Sequence, residues 1–113
     1  PDMVGHTGNL KAAISAVETV DKCVKSLIEA IKDTNGTLIV TADHGNCEIM
    51  WDNEKQIPHT AHTTNLVSCS IVGASITNLS DGTLADIAPT VLDLLNIVKP
   101  NEMSGNSLID NPN

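Results

Sequence analysis

Arginine, phenylalanine and tyrosine do not occur in this sequence of 113 residues, and Trp51 is its one aromatic side chain. Without arginine there is no guanidinium fork to grip a phosphate or carboxylate, so a phosphorylated ligand would need its clamp from other segments. Acidic residues number 14 against 6 basic ones, for a formal net charge of -8. A phosphate backbone attracts the reverse balance, which argues against nucleic acid as a partner. No apolar run approaches the roughly 20 residues of a membrane span, which argues against a membrane. Cysteine is sparse: Cys23, Cys47 and Cys69 are odd in number and contain no C-x-x-C pair. That argues against a disulfide framework and a zinc ribbon, and points to a reducing, cytoplasmic compartment. The aromatic shortage, together with a first residue Pro1 that falls inside a motif, leads to the expectation that residues 1–113 are an incomplete portion of a larger domain.

What is present reads as α/β. From Asn9 to Asp33 the apolar residues Leu10, Ala13, Ile14, Val17, Val20, Val24, Leu27, Ile28 and Ile31 recur every three or four positions. This predicts one long amphipathic helix, started at Gly8-Asn9 and stopped by a left-handed cap at Asn35-Gly36. Thr37–Ala42 is short, β-branched and apolar throughout, as expected of a strand buried on both faces of a parallel sheet. Residues 46–65 read as a loop with a short strand around Glu48–Trp51, and Leu66–Val72 as a second strand. After a polar loop over 73–83, a second helix is expected from Leu84 to Asn96, bent or restarted at Pro89. The tail from Lys99 to Asn113, with Pro100, Gly105 and Pro112, reads as loop.

Three motifs carry chemistry. They are Pro1-Asp2-Met3-Val4-Gly5-His6-Thr7-Gly8, Thr41-Ala42-Asp43-His44-Gly45-Asn46, and Pro58-His59-Thr60-Ala61-His62-Thr63-Thr64-Asn65. Asp2 and His6 are four apart, which on a helical turn puts carboxylate and imidazole on one side. Asp43 and His44 end an apolar strand. Neighbouring residues of an extended strand point to opposite faces, so the pair can serve one cation only where the backbone turns, and Gly45 permits a turn. Ligands gather at such strand ends in open α/β sheets. The spacing of His59 and His62 is set in a Pro- and Thr-rich stretch that disfavours a helix, so the two have different jobs. All four histidines of the chain fall within these motifs. Oxygen and imidazole donors without thiolate suit Mn2+, Zn2+ or Co2+. The five residues Asp2, His6, Asp43, His44 and His62 are too many for one ordinary site and too few for two. Two-cation phosphoryl chemistry accounts for such a set.

In this order the three motifs resemble the C-terminal part of the cofactor-independent phosphoglycerate mutases, within the alkaline phosphatase superfamily. Leu84-Ala85-Asp86-Ile87-Ala88-Pro89-Thr90 and Glu102-Met103-Ser104-Gly105-Asn106-Ser107-Leu108 resemble the same family's closing helix and tail. The resemblance implies part of a three-layer αβα sandwich, a mostly parallel sheet with helices on both faces. It implies Asp2, His6 and His62 on one manganese and Asp43 and His44 on the other, with Mg2+, Co2+ or Zn2+ as alternative ions. His59 is implied to stand behind the ligands or beside the substrate. The activity implied is interconversion of 3-phosphoglycerate and 2-phosphoglycerate through a phosphoserine. The nucleophilic serine and the substrate clamp belong to the remainder of the same enzyme, so this segment alone is expected to be inactive.

Two other classes compete. A metal-dependent phosphohydrolase or phosphopentomutase of the same superfamily shares the Asp-His-Gly logic. A non-catalytic metal-binding module would leave sheet edges and an apolar helix face open, and would be expected to self-associate.

Overall fold

The computed structural model describes residues 1–76 and 78–110, and the chain divides into two units, Pro1–Gly73 and Ala74–Asn113. Expectations for Thr77 and for residues 111–113, including Pro112, lie outside the described residues.

The first unit begins with a single helical turn, α1 (Asp2–Gly5). His6 caps it, and the chain reverses at Gly8 with φ +68. The long helix α2 (Leu10–Asp33) then runs for 24 residues. Its start is held by the Asn9 side chain, which accepts from the Ala12 N–H at 3.1 Å, satisfying one of the donors a helix start leaves free. At the other end Asn35 sits at φ 51, the Gly36 N–H donates to the Ile31 carbonyl at 3.0 Å and the Asn35 N–H to that of Lys32. This paired closure lets asparagine take the left-handed position ahead of glycine. Within the unit only Ala13 of α2 is buried. Leu10, Ile14, Val17, Val20 and Leu27, which the periodicity marks as the inward stripe, remain substantially exposed.

The strand β1 (Leu38–Val40) covers the middle of the predicted apolar run. Its hydrogen-bonded neighbour is β4 (Ser70–Val72), with Leu38 opposite Val72, Ile39 opposite Ile71 and Val40 opposite Ser70. The pairing is antiparallel, and all three β1 residues are half-buried. A mostly parallel sheet was the expectation; the strand pairs among the described residues are antiparallel. A continuous apolar run reports burial tendency and carries no information on the direction of its neighbour. Gly73, which follows β4, has φ +95, and a Cβ there would run into the Gly36 carbonyl. Glycine is therefore what lets the end of β4 lie against the turn that closes α2.

Between them, β2 (Trp51–Asp52) and β3 (Ile57–Pro58) form a short antiparallel hairpin. Asp52 closes its loop by accepting from the Glu54 and Lys55 N–H groups at 3.0 Å each. These bonds, that of the Lys55 N–H foremost, hold its carboxyl below the usual range. The hairpin delivers Pro58 and His59 to the start of the third motif.

In the second unit a 3-10 turn (Leu84–Asp86) leads into α3 (Ile87–Leu94). The Thr83 N–H donates to Asp86 Oδ2 at 2.7 Å in a capping box. A bend or restart was expected at Pro89; the change from 3-10 turn to α-helix falls earlier, at Asp86–Ile87. Pro89 falls in the first turn of α3, where no helical partner for an N–H exists, so the ring is accommodated. Thr90, 1% exposed, ties helix to tail: its hydroxyl donates to the Asp86 carbonyl at 2.7 Å and accepts from the Leu108 N–H at 2.9 Å. The tail also bridges Ile109 to Leu79. Among the described residues no helix is long and apolar enough to cross a membrane.

Candidate metal centre

All the candidate ligands lie in the first unit. Because α1 is one helical turn, it sets Asp2 and His6 side by side, with Asp2 Oδ1 3.4 Å from His6 Nε2. The third motif arrives from the other direction. The Thr63 N–H donates to the Gly45 carbonyl at 2.9 Å, a lone bridge that lays the His62-Thr63-Thr64-Asn65 stretch along the turn after β1. His62 Nε2 thereby reaches 3.1 Å from Asp2 Oδ1 and 3.1 Å from His6 Nε2.

Three donor atoms from two distant motifs thus form a triangle with edges of 3.1, 3.1 and 3.4 Å. Ligands about 2.1 Å from a shared cation stand roughly 3.0–3.4 Å apart, whether four or six surround it. Asp2, His6 and His62 are also the group of three titratable side chains, among the described residues, whose ligand atoms lie within 4.8 Å of one another. The protonation pattern agrees. His6 Nδ1 faces the Thr60 carbonyl at 2.7 Å. A carbonyl can only accept, so Nδ1 carries a proton, and a neutral ring then turns the lone pair of Nε2 into the triangle, as a metal ligand requires. The donor set fits a divalent ion of the Mn2+, Co2+ or Zn2+ kind.

His44 lies at the edge of this cluster. Its ring stacks on that of His62, with centroids 3.6 Å apart and an 18° tilt. Its Nδ1 faces the Gly45 carbonyl at 3.2 Å. That leaves Nε2 directed at two carboxylates, 3.5 Å from Asp43 Oδ1 and 3.9 Å from Asp2 Oδ1. The bend after β1 therefore brings the neighbouring Asp43 and His44 to one side. Asp43, 83% exposed at its side chain, contributes no atom to the triangle. His59 also stays out of it: its Nδ1 is buried without a hydrogen-bond partner, and its main-chain N–H donates to Met50.

Two residues beyond the candidate ligands shape the site. Asn46, 7% exposed, directs Nδ2 at Asp2 Oδ1 (2.9 Å) and at the Asp2 carbonyl (3.2 Å). This bond, ahead of the neighbouring imidazoles of His6, His62 and His44, holds the Asp2 carboxyl below its usual range. Glu48 accepts from the Thr63 hydroxyl, from Asn65 Nδ2 at 3.1 Å and from the Asn46 N–H at 2.7 Å. The Thr63 bond is the largest of the influences that pull its carboxyl down to about 2. Gly45 is needed for space and not for a left-handed turn, since a Cβ there would collide with Glu48 Oε1 and Thr63 Oγ1. Asn46 stood in a motif without an assigned role, and Glu48 read only as the start of a short strand. The available signal was a carboxylate in the loop after Asp43-His44 and a run of hydroxyl and amide donors after His62.

Residues 1–99 match the metalloenzyme superfamily. The 2,3-bisphosphoglycerate-independent phosphoglycerate mutase of Wolbachia pipientis wMel is 59% identical over 110 residues, which cover 96% of this chain and 22% of that protein. The enzyme of the same name from Ruegeria pomeroyi is 58% identical over 111 residues, with the same two coverages. A crystal structure of Leishmania mexicana phosphoglycerate mutase at low cobalt concentration superposes with a TM-score of 0.83 at 36% identity, covering 96% of this chain and 23% of that one. The chain thus spans under a quarter of the length of the relatives it matches.

Proposed function

The chain belongs to the metalloenzyme superfamily, and from that premise we propose that residues 1–113 form the C-terminal portion of the metal-binding domain of a cofactor-independent phosphoglycerate mutase. The whole enzyme would interconvert 3-phosphoglycerate and 2-phosphoglycerate by way of a phosphoserine. The observation that carries this reading is the meeting of Asp2 Oδ1, His6 Nε2 and His62 Nε2 within 3.4 Å of one another. Named relatives at 59% and 58% identity support the choice of substrate.

In this proposal Asp2, His6 and His62 hold one Mn2+, and Asp43 and His44 contribute to the site of a second. The Leishmania enzyme's crystal structure at low cobalt concentration supports a divalent ion at such a centre. When bound, the ions supply charge neutralisation for the transferring phosphoryl group and ease the ionisation of the attacking hydroxyl. The chain's own part is to present its donors already aligned: Thr60 fixes the tautomer of His6, Asn46 fixes the Asp2 carboxylate, and the His44 ring fixes the plane of His62. Preset donors avoid reorganisation during the reaction.

The nucleophilic serine and the cationic clamp on the substrate would come from the remainder of the enzyme. That remainder would also cover the open stripe of α2 and complete an αβα sandwich with parallel strands. Three free cysteines and a glycolytic substrate support a cytoplasmic location. The deciding experiment supplies 3-phosphoglycerate and Mn2+ to the full-length protein. Formation of 2-phosphoglycerate is the expected result. Release of inorganic phosphate without it would replace this reading with a phosphohydrolase.

A further inference from the structure

We propose that Glu48 is a positioning residue for the Asp2, His6 and His62 triad, acting as a clasp between the two loops that carry its parts. This rests on the metal reading above. One oxygen of the carboxylate takes the Asn46 N–H, while the other takes the Thr63 hydroxyl and the Asn65 amide. Asn46 and Thr63 are the residues next in line to the ligands: the side chain of Asn46 holds Asp2 Oδ1, and Thr63 directly follows His62. The contacts therefore close a ring. It runs from Asp2 to Asn46, to Glu48, to Thr63 and His62, and back to Asp2 across 3.1 Å.

Apart from that carboxylate, and among the described residues, the two loops are joined at this point by the Gly45 to Thr63 backbone bond and by the ligands themselves. One backbone bond leaves the loops free to pivot, whereas two further bonds across, from the Thr63 hydroxyl and the Asn65 amide, to a carboxylate anchored in its own loop by the Asn46 N–H, restrain both translation and twist. The missing side chain at Gly45 makes the room, since a Cβ would occupy the place of the carboxylate. An ordinary surface carboxylate closing a loop would bond within its own loop. Glu48 reaches 15 and 17 residues along the chain.

The test uses the full-length protein and Mn2+ as the probe, read by electron paramagnetic resonance and by titration, with circular dichroism reporting the fold. Residues behind metal ligands change affinity about 10–100-fold when removed. Glu48→Ala is expected to weaken one Mn2+ site by about that factor and to alter the spectrum of the bound ion. Glu48→Gln, which can present an acceptor to one loop only, should fall between. Because the Thr63 hydroxyl acts through Glu48, adding Thr63→Val to Glu48→Ala should weaken binding no further. Asp2→Ala is the control and should remove one bound ion. If Asp2→Ala loses an ion while folded Glu48→Ala keeps wild-type affinity and spectrum, the clasp is refuted and the metal site stands. If Asp2→Ala binds Mn2+ as before, the metal reading fails and the clasp with it. Should Glu48→Ala not fold, wild-type affinity in both Glu48→Gln and Thr63→Val would overturn the proposal equally.

Discussion

Asn46→Ala isolates the contribution of a neutral side chain to metal capture. The substitution removes both Nδ2 bonds to Asp2, one to the carboxylate and one to the peptide carbonyl, and leaves the main-chain N–H that Glu48 accepts. Loss of an outer partner to a ligand costs about 10–100-fold in metal affinity. Where the effect falls in that range depends on whether water can take the vacated place. The Asp2 side chain is 58% exposed, so solvent can hydrogen-bond the carboxylate in place of the amide, and the expected loss lies near the lower limit, about tenfold. Asn46→Asp sets a second anion beside Asp2 and turns donors into acceptors, so it should fall toward the upper limit, about a hundredfold. Calorimetric titration of the full-length protein with Mn2+ separates the two, with the melting temperature of the metal-free form as a control on folding. Wild-type Mn2+ affinity in folded Asn46→Ala would refute the idea that this amide prepares Asp2.

Thr90→Val removes a hydroxyl bonded on both sides in the second unit and leaves the Leu108 N–H without its acceptor. The lost bond and the stranded donor together predict destabilisation of roughly 2–4 kcal/mol, measurable by urea unfolding; a loss within experimental error would contradict it. Asp86 accepts from the Asn106 N–H and from Thr83, bonds that lower its carboxyl below the ordinary 3.8. A depressed folded value means the contribution is complete above about pH 4 and fades as pH falls through the folded value. Asp86→Asn should therefore lower the melting temperature at neutral pH and converge with wild type in acid; a gap that stays constant with pH would be inconsistent. Glu48 follows the same sign over its own window, from its ordinary 4.5 down to about 2.

Local physics was legible from the residues, and long-range pairing was not. The apolar spacing of α2, its Asn9 cap and the left-handed Asn35 all depend on neighbours within five positions, and the helix ends where they indicate. The β1 run showed a strand but not its partner, because Val40 meets Ser70 across a separation that no periodicity encodes. The strands expected over Thr37–Ala42 and Leu66–Val72 are longer than the observed Leu38–Val40 and Ser70–Val72, since side-chain type does not mark where ladder bonds stop. At the site, spacing put Asp2 beside His6, while their meeting with His62 was implied only by family resemblance. Asn46 and Glu48 escaped notice for the same reason: their partners sit 44 and 15 residues away. The strand pairs among the described residues are antiparallel, not the mostly parallel sheet expected, because no local rule encodes the direction of a strand's partner.

The most direct measurement of the central claim is anomalous diffraction at the manganese edge from crystals of the full-length protein grown with Mn2+. The account predicts a peak within coordinating distance of Asp2 Oδ1, His6 Nε2 and His62 Nε2 together. Manganese peaks that all lie away from these three atoms would contradict it.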